Sequence, residues 1–425
     1  MKRYMRALSL VLVLALLVSS GAAASVRGET SADALAALGL FRGTDKGYEL
    51  TRAPTRTEAA VMLVRLLGCE EEARAGARSH PFRDVAPWAQ DYIAYMYEKG
   101  LTRGMSETRF GAGEPCSAQM YVTMVLRALG YDEGDGDFTY QTALAFAASI
   151  GLCDETLTDG VFLRGNLAAV SENALLTQVK SSDDVLLNVL RARGAVDEKA
   201  AAAFLSAHAA LLRLNEAFAD TADGFSGEVT LSRAASRGGV STSVRVDGTL
   251  ARSHEGAHLD ASLTAGGVAA AARVWERDST LYLTRGGENT ARSGDALSRM
   301  CALFTPRLAP NRYAALTLDE SVLTVRFDDA ACRALARAWM ALDGAADETD
   351  ELTRADVRFT AELSDSGAPV RVTVTVDAAC RGAAGLTEYE ATSSLIFPSR
   401  RGGDRFSRCA DLYGFPARVR RRVHC

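Results

Sequence analysis

The 425-residue chain lacks most of the patterns that announce chemistry. Its cysteines, at 69, 116, 153, 301, 332, 380, 409 and 425, form no close C-x-x-C pair, which excludes a zinc ribbon and a dithiol redox motif. There is no G-x-S-x-G, no P-loop and no defensible pair of catalytic carboxylates. The expectation is a non-enzyme with no cofactor and no resident metal. No apolar run after residue 24 is long enough to cross a membrane, so no integral membrane segment is expected once a leader is removed. The net charge of -5 makes the bulk field repel polyanions. Nucleic acid is therefore not an expected partner, and any anionic ligand must be held by local sites.

The leader is the first thing present. Lys2, Arg3 and Arg6 precede the apolar run LSLVLVLALLV, and Ala22-Ala23-Ala24 supplies a small-residue cleavage site, so residues 1–24 read as a secretory signal peptide. Disulfides are then permitted, and Cys301 with Cys332 is a conceivable bridge. With 48% hydrophobic residues the fold should not depend on it.

Residues 31–180 contain a repeated unit. LGLFRGTDKGYEL…TRTEAAVMLVRLLG returns, altered, as KGLTRGMSETRFGAGEPCSAQMYVTMVLRALG, and the Gly-Leu pair recurs at 39-40, 100-101 and 151-152. Ala59, Met62, Leu63, Leu66 and Leu67 form one helical stripe, and Tyr121, Met124, Val125, Ala128 and Leu129 form a second. Leu167, Val170, Ala174 and Leu175 form a third, which Ser171 interrupts. The spacing implies helical units that bury their stripes against one another. HPFRDVAPWAQDYIAYMYEKGLTRG supplies a further helix, with Asp84 as a plausible N-cap and Trp88, Ile93, Met96 and Tyr97 as apolar contacts.

FRDV…W…I…GL..G…F followed by a TRxE helix start resembles the S-layer homology domain. The resemblance covers roughly residues 31–181 and implies an all-α threefold domain of three repeats. In that family such domains hold exported bacterial proteins non-covalently on secondary cell-wall polysaccharide, often pyruvylated. The implied organisation is repeat 1, truncated, over 25–80, repeat 2 over 81–132 and repeat 3 over 133–181. A cation is disfavoured in the first turn of a helix, yet Arg56 stands there. Thr55 and Glu58 are spaced as a capping box, and Arg56 beside free backbone N–H groups makes a competent anion site. The resemblance assigns Arg56 to the acidic sugar. The second copy reads SAQM, with Ala118 and Met120 replacing the arginine and glutamate while Ser117 can still cap. The third reads LRGN, so Arg164 keeps the cation, Leu163 cannot cap and Asn166 replaces the glutamate. Asp84 either bonds sugar hydroxyls or caps its helix, and Trp88 either stacks on a sugar or fills core. The attachment reading fails if Arg56 is both packed away and neutralised by the chain's own carboxylates.

Residues 182–218 read as two linking helices. From 219 to 400 the texture changes to short alternating segments such as STSVRVDGTL, HLDASLTA, STLYLTR and PVRVTVTVD, separated by Gly, Asp and Ser turns. DALSRMCALF and DDAACRALARAWMALDG read as helical, the latter with Ala331, Leu335, Trp339 and Leu342 on one side. The whole is expected to be α+β and multidomain, its second part a curved antiparallel sheet with one or two packed helices. That pattern is loosely similar to the half-barrel of lipoprotein carriers, which leaves open a carrier or sensor of an apolar ligand. His254-Glu255-Gly256-Ala257-His258 fits H-E-x-x-H, but its flanks alternate with period two and Gly256 suits a turn. A zinc-dependent hydrolase through His254, Glu255 and His258 is the less favoured alternative to a polar hairpin. Asp132-Glu133-Gly134-Asp135-Gly136-Asp137 lacks EF-hand spacing and reads as a solvated linker. The basic tail, 401–425, is expected to be disordered and offers a weak contact to anionic polymer or lipid through ARVRRR. The resulting expectation is a secreted protein on the cell wall of a bacterium, with the β-rich part facing outward.

Overall fold

The computed structural model describes residues 29–398 apart from 154–156, 158–160, 183, 222–223, 286–287, 307, 309–312, 328, 343–349 and 383–384. The expected signal peptide and basic tail lie outside the described residues. Two compact units divide near residue 206.

The first unit is helical. Its helices are α1 (Glu29–Ala37), α2 (Arg56–Leu66), α3 (Glu70–Ala75), α4 (Gln90–Glu98), α5 (Ala118–Ala128), α6 (Ala143–Ser149), α7 (Arg164–Leu176) and α8 (Leu186–Ala192), with α9 (Glu198–Asp220) crossing the boundary. The predicted stripes are the core: Ala59, Leu63, Tyr121, Leu129, Leu167, Ala174 and Leu175 have no exposed surface. Each Gly-Leu pair ends a helix in the same way. Gly39, Gly100 and Gly151 adopt φ of +76°, +70° and +77°, a conformation that favours glycine. The next amide then donates back across the last turn, as in Leu40 N to Leu35 O (2.9 Å) and Leu101 N to Met96 O (2.8 Å). The buried Leu40, Leu101 and Leu152 follow.

Ser171 breaks the third stripe without leaving the core. Its Oγ donates to Leu167 O (2.8 Å) and lies 2.7 Å from the buried Tyr121 hydroxyl. The segment expected to be a linker from 182 starts inside this unit, because Leu186, Leu187 and Leu190 of α8 belong to the helical core. The acidic stretch is a solvent-facing connection, as expected. It is a turn in which Lys180 Nζ binds Asp135 Oδ2 (2.9 Å) and Asp137 Oδ2 (2.6 Å).

The second unit is an antiparallel sheet ordered β6-β5-β4-β3-β2-β1-β11-β10-β9-β8-β7. Its strands are β1 (Gly224–Arg237), β2 (Val240–Ser253), β3 (Gly256–Ala265), β4 (Val268–Arg277), β5 (Thr280–Arg285), β6 (Glu288–Ser293), β7 (Tyr313–Asp319), β8 (Val322–Phe327), β9 (Glu351–Leu363), β10 (Pro369–Gly382) and β11 (Gly385–Ile396). Helices α10 (Ala296–Phe304) and α11 (Asp329–Leu342) pack with it, as do Leu211, Leu214 and Phe218 of α9. The buried side of α11 is Cys332, Ala336, Trp339 and Met340: Trp339 stands where it was expected and Leu335 packs partly buried against the core, while Cys332 and Ala336 lie one position on from Ala331 and Leu335. Cys332 Sγ faces the carbonyls of Phe327 (3.4 Å) and Val357 (3.8 Å). Cys301 and Cys332 are both reduced thiols, so the conceivable bridge between them is not formed.

Candidate functional site: a buried guanidinium at a helix start

The start of α2 is built as a capping box. Glu58 N donates to Thr55 Oγ1 (3.2 Å) and Thr55 N donates to Glu58 Oε2 (2.7 Å). The other first-turn amides are not free, contrary to expectation. Arg56 N donates to Glu114 O (2.9 Å) and Thr57 N to Ala112 O (3.4 Å), both on the loop before α5. That loop uses the donors an anion would have needed, so the helix terminus alone is no anion site.

The guanidinium itself remains. Arg56 is 6% exposed, and its Nε donates to Phe110 O (2.8 Å) while the group lies 4.9 Å from the centre of the Phe110 ring. Among the described residues neither Nη has a hydrogen-bond acceptor and no carboxylate pairs with it. Burial holds its pKa below the ordinary guanidinium value, against the opposing effects of Cys116, Tyr140, Glu114 and Asp84. Buried cations are ordinarily paired, since desolvation is otherwise uncompensated. Arg52 is the ordinary case nearby, forked onto Glu58 at 2.9 and 2.8 Å. Arg56 is thus largely buried and not neutralised by a carboxylate, and its Nη atoms, which are not among the fully enclosed unpartnered polar atoms, still reach solvent.

Arg164 repeats the arrangement at the start of α7. It is 3% exposed, its Nε donates to Tyr48 O (2.8 Å), and its Nη1 meets Met62 Sδ at 3.6 Å. Its amide donates to Arg52 O (2.9 Å), as that of Arg56 does to Glu114 O. Burial lowers its pKa too. Leu163 makes no side-chain cap, but Asn166 Oδ1 accepts from Leu163 N (2.9 Å), as Glu58 does from Thr55. At α5 Ser117 caps Met120 N (3.3 Å), and Ala118 leaves that helix start without a cation.

Asp84 caps no helix. Its Oδ1 accepts from Phe110 N (2.7 Å), and its Oδ2 from Gly111 N (2.7 Å) and Ala112 N (3.0 Å). Burial would raise its pKa, but these three amides outweigh it and hold the carboxyl below its usual range. Asp84 therefore shapes the loop that holds Arg56. Trp88 is 61% exposed, which removes core filling as its role.

Residues 81–117, which contain Asp84, Trp88 and the Phe110 loop, match the family model for the S-layer homology domain. The chain carries an S-layer homology domain. Two similar proteins are a cell surface protein of Thermoanaerobacter kivui, 31% identical over 147 residues, and a middle cell wall protein of Brevibacillus brevis, 26% identical over 165. The first match covers 33% of this chain and 19% of the relative, the second 37% and 16%. An endoglucanase of Bacillus sp. is 33% identical over 88 residues, 21% of this chain and 9% of that protein. The chain spans less than a fifth of the length of these relatives. Together they mark a secreted, cell-wall-associated bacterial surface protein. LprF from Mycobacterium bovis aligns with 46% of this chain and 96% of its own at 12% identity, with a TM-score of 0.23.

Gly111 is the S-layer homology domain residue that the motif did not reveal. It adopts φ +81°, and a Cβ there would lie 2.4 Å from Met105 Sδ and 3.2 Å from Cδ and Nε of Arg56. Gly111→Ala should cost about 1–2 kcal/mol in urea denaturation, from a left-handed backbone bearing a side chain. It should also weaken sedimentation with cell walls although every charge is kept, because Arg56 is displaced. The H-E-x-x-H pentapeptide lies elsewhere, across the β2–β3 turn. His254 and Glu255 are exposed turn residues, whereas His258 is on β3, stacked on Trp275 at 5.4 Å. The one-turn helical spacing that a zinc site needs is absent from this hairpin.

Proposed function

We propose that the S-layer homology domain tethers the protein non-covalently to an anionic cell-wall polysaccharide, with Arg56 as the principal contact to the acidic group. The observation that carries this reading is a buried guanidinium whose Nη groups have no acceptor among the described residues. Such a group gains most from a ligand carboxylate or phosphate, in a charge-assisted and often bidentate bond. Arg164 is the second, weaker contact, and the start of α5 is inactive for want of a cation. Three helical repeats over 25–181 form the tether, Trp88 is available to stack on a sugar face, and the β-rich unit is displayed without catalytic activity.

The test is co-sedimentation with purified cell walls, before and after chemical removal of ketal-linked pyruvate. Arg56→Met keeps the volume over the Phe110 ring and deletes the charge. It should bind walls about 10- to 100-fold more weakly, the scale of one or two hydrogen bonds to a charged group. The melting temperature should change little, since the bond to Phe110 O and the ring contact are lost while a desolvated charge is relieved. Full sedimentation of an Arg56→Met/Arg164→Met double variant would overturn the reading.

A further inference from the structure

The outer face of the sheet carries one row of rings for which the tether has no use. Leu259, Val274, Leu281 and Leu283 turn towards the core, so alternation puts His258, Trp275 and Tyr282 on the opposite face. These three are direct cross-strand partners on β3, β4 and β5. The imidazole and indole lie 5.4 Å apart with planes inclined by 24°. Tyr282 is 42% exposed, Trp275 is half-buried, and His258 is buried as part of the floor. A neutral ion pair borders the row on one side, Arg273 Nε to Asp260 Oδ2 at 2.8 Å, and Arg277 with Asp278 borders it on the other at 3.8 Å.

We propose that this face binds an uncharged polysaccharide, with Trp275 and Tyr282 stacking on the apolar faces of its sugar rings. Each ring has an apolar body and a polar tip, which suits a ligand that alternates C–H faces with hydroxyls. Trp275 and Tyr282 stand on neighbouring strands about 4.8 Å apart, the scale of one sugar ring. The borders decide the charge of the ligand. Both present donors and acceptors in balanced pairs, so they bond hydroxyls without favouring an anion, unlike Arg56. The row is one residue wide between charged borders, whereas the centre of a protein interface is a broad apolar patch depleted of charge. The wall location places such polymers within reach of the protein.

The experiment is native affinity electrophoresis of the full chain in gels containing hydroxyethylcellulose, galactomannan or glycol chitin. The wild type should be retarded by at least one of these, Trp275→Ala/Tyr282→Ala should bind at least about tenfold more weakly, and Trp275→Phe should keep most of the retardation. Arg56→Met should run like the wild type, which separates this surface from the tether. Unchanged melting of the exposed-face variants confirms that they fold. Absence of retardation in all three gels, or equal retardation of the double variant, overturns the proposal. A change in self-association alone would also do so, by making the face a contact between copies.

Discussion

Asp84→Ala is expected to lower the stability of the helical unit by about 2–4 kcal/mol and to abolish wall binding with it. The carboxylate accepts from three successive amides, at Phe110, Gly111 and Ala112. The same loop returns its carbonyls to α2, from Phe110 to Arg56 Nε and from Glu114 to Arg56 N. One deletion thus frees three donors and loosens the seat of the guanidinium. Asp84 is exposed, so water takes over some of these bonds, which keeps the loss at the lower end of what three charge-assisted bonds could give. The pH dependence follows from the lowered folded-state pKa. The contribution is present above the unfolded value, near 4, and is lost as pH falls through the folded value. Urea denaturation should therefore show a wide gap between wild type and Asp84→Ala near neutral pH and a narrower one in acid. An Asp84→Ala variant with native stability that still lost wall binding would return Asp84 to direct sugar contact.

Glu172→Gln is expected to stabilise the protein, by up to about 3 kcal/mol above pH 7 and hardly at all near pH 5. Glu172 on α7 is 5% exposed, and burial pushes its carboxyl up to about 7, against the opposing effect of the 2.6 Å bond donated by Ser31 Oγ from α1. An acid whose folded pKa exceeds its unfolded value keeps its proton in the native state while the unfolded chain releases it. Stability therefore falls as pH rises from the unfolded value, near 4.5, to about 7, and then levels off. Glutamine keeps an oxygen for Ser31 and carries no charge to desolvate. Melting curves of the two proteins across this range would check the prediction, and parallel curves would refute a buried titrating carboxyl.

Much of the site was legible because its parts are local. Thr55 and Glu58 are three residues apart, so the capping box is written in the sequence and recurs in space. The Gly-Leu endings are equally local. What escaped depends on distant segments. The amides expected to receive an anion are used by a loop more than fifty residues away, through Glu114 O and Ala112 O. Asp84 likewise reaches the loop before α5 instead of the helix after it. The importance of Gly111 was invisible because its neighbour, Arg56, comes from another segment. In the sheet, alternation revealed β2, β3 and β10. Strands β6 and β8 have only six residues each, too few for their alternation to stand out. On α11 Trp339 is buried as its spacing implies, while Cys332 and Ala336 take the places expected of Ala331 and Leu335 because small residues lie on both sides of that helix.

The order of the sheet bears on how an exported chain matures. β1 and β11 are partners at its centre, with Glu228 opposite Ile396 and Arg237 opposite Thr387. The first and last strands to emerge thus form the seam between two hairpin series, β2 to β6 on one flank and β7 to β10 on the other. Until β11 arrives, each flank keeps an open edge able to recruit a stranger's strand. Closing a loop of this length is slow. A nascent molecule is therefore most vulnerable to clumping while β1 still waits for β11, a burden that falls on whatever chaperone attends it.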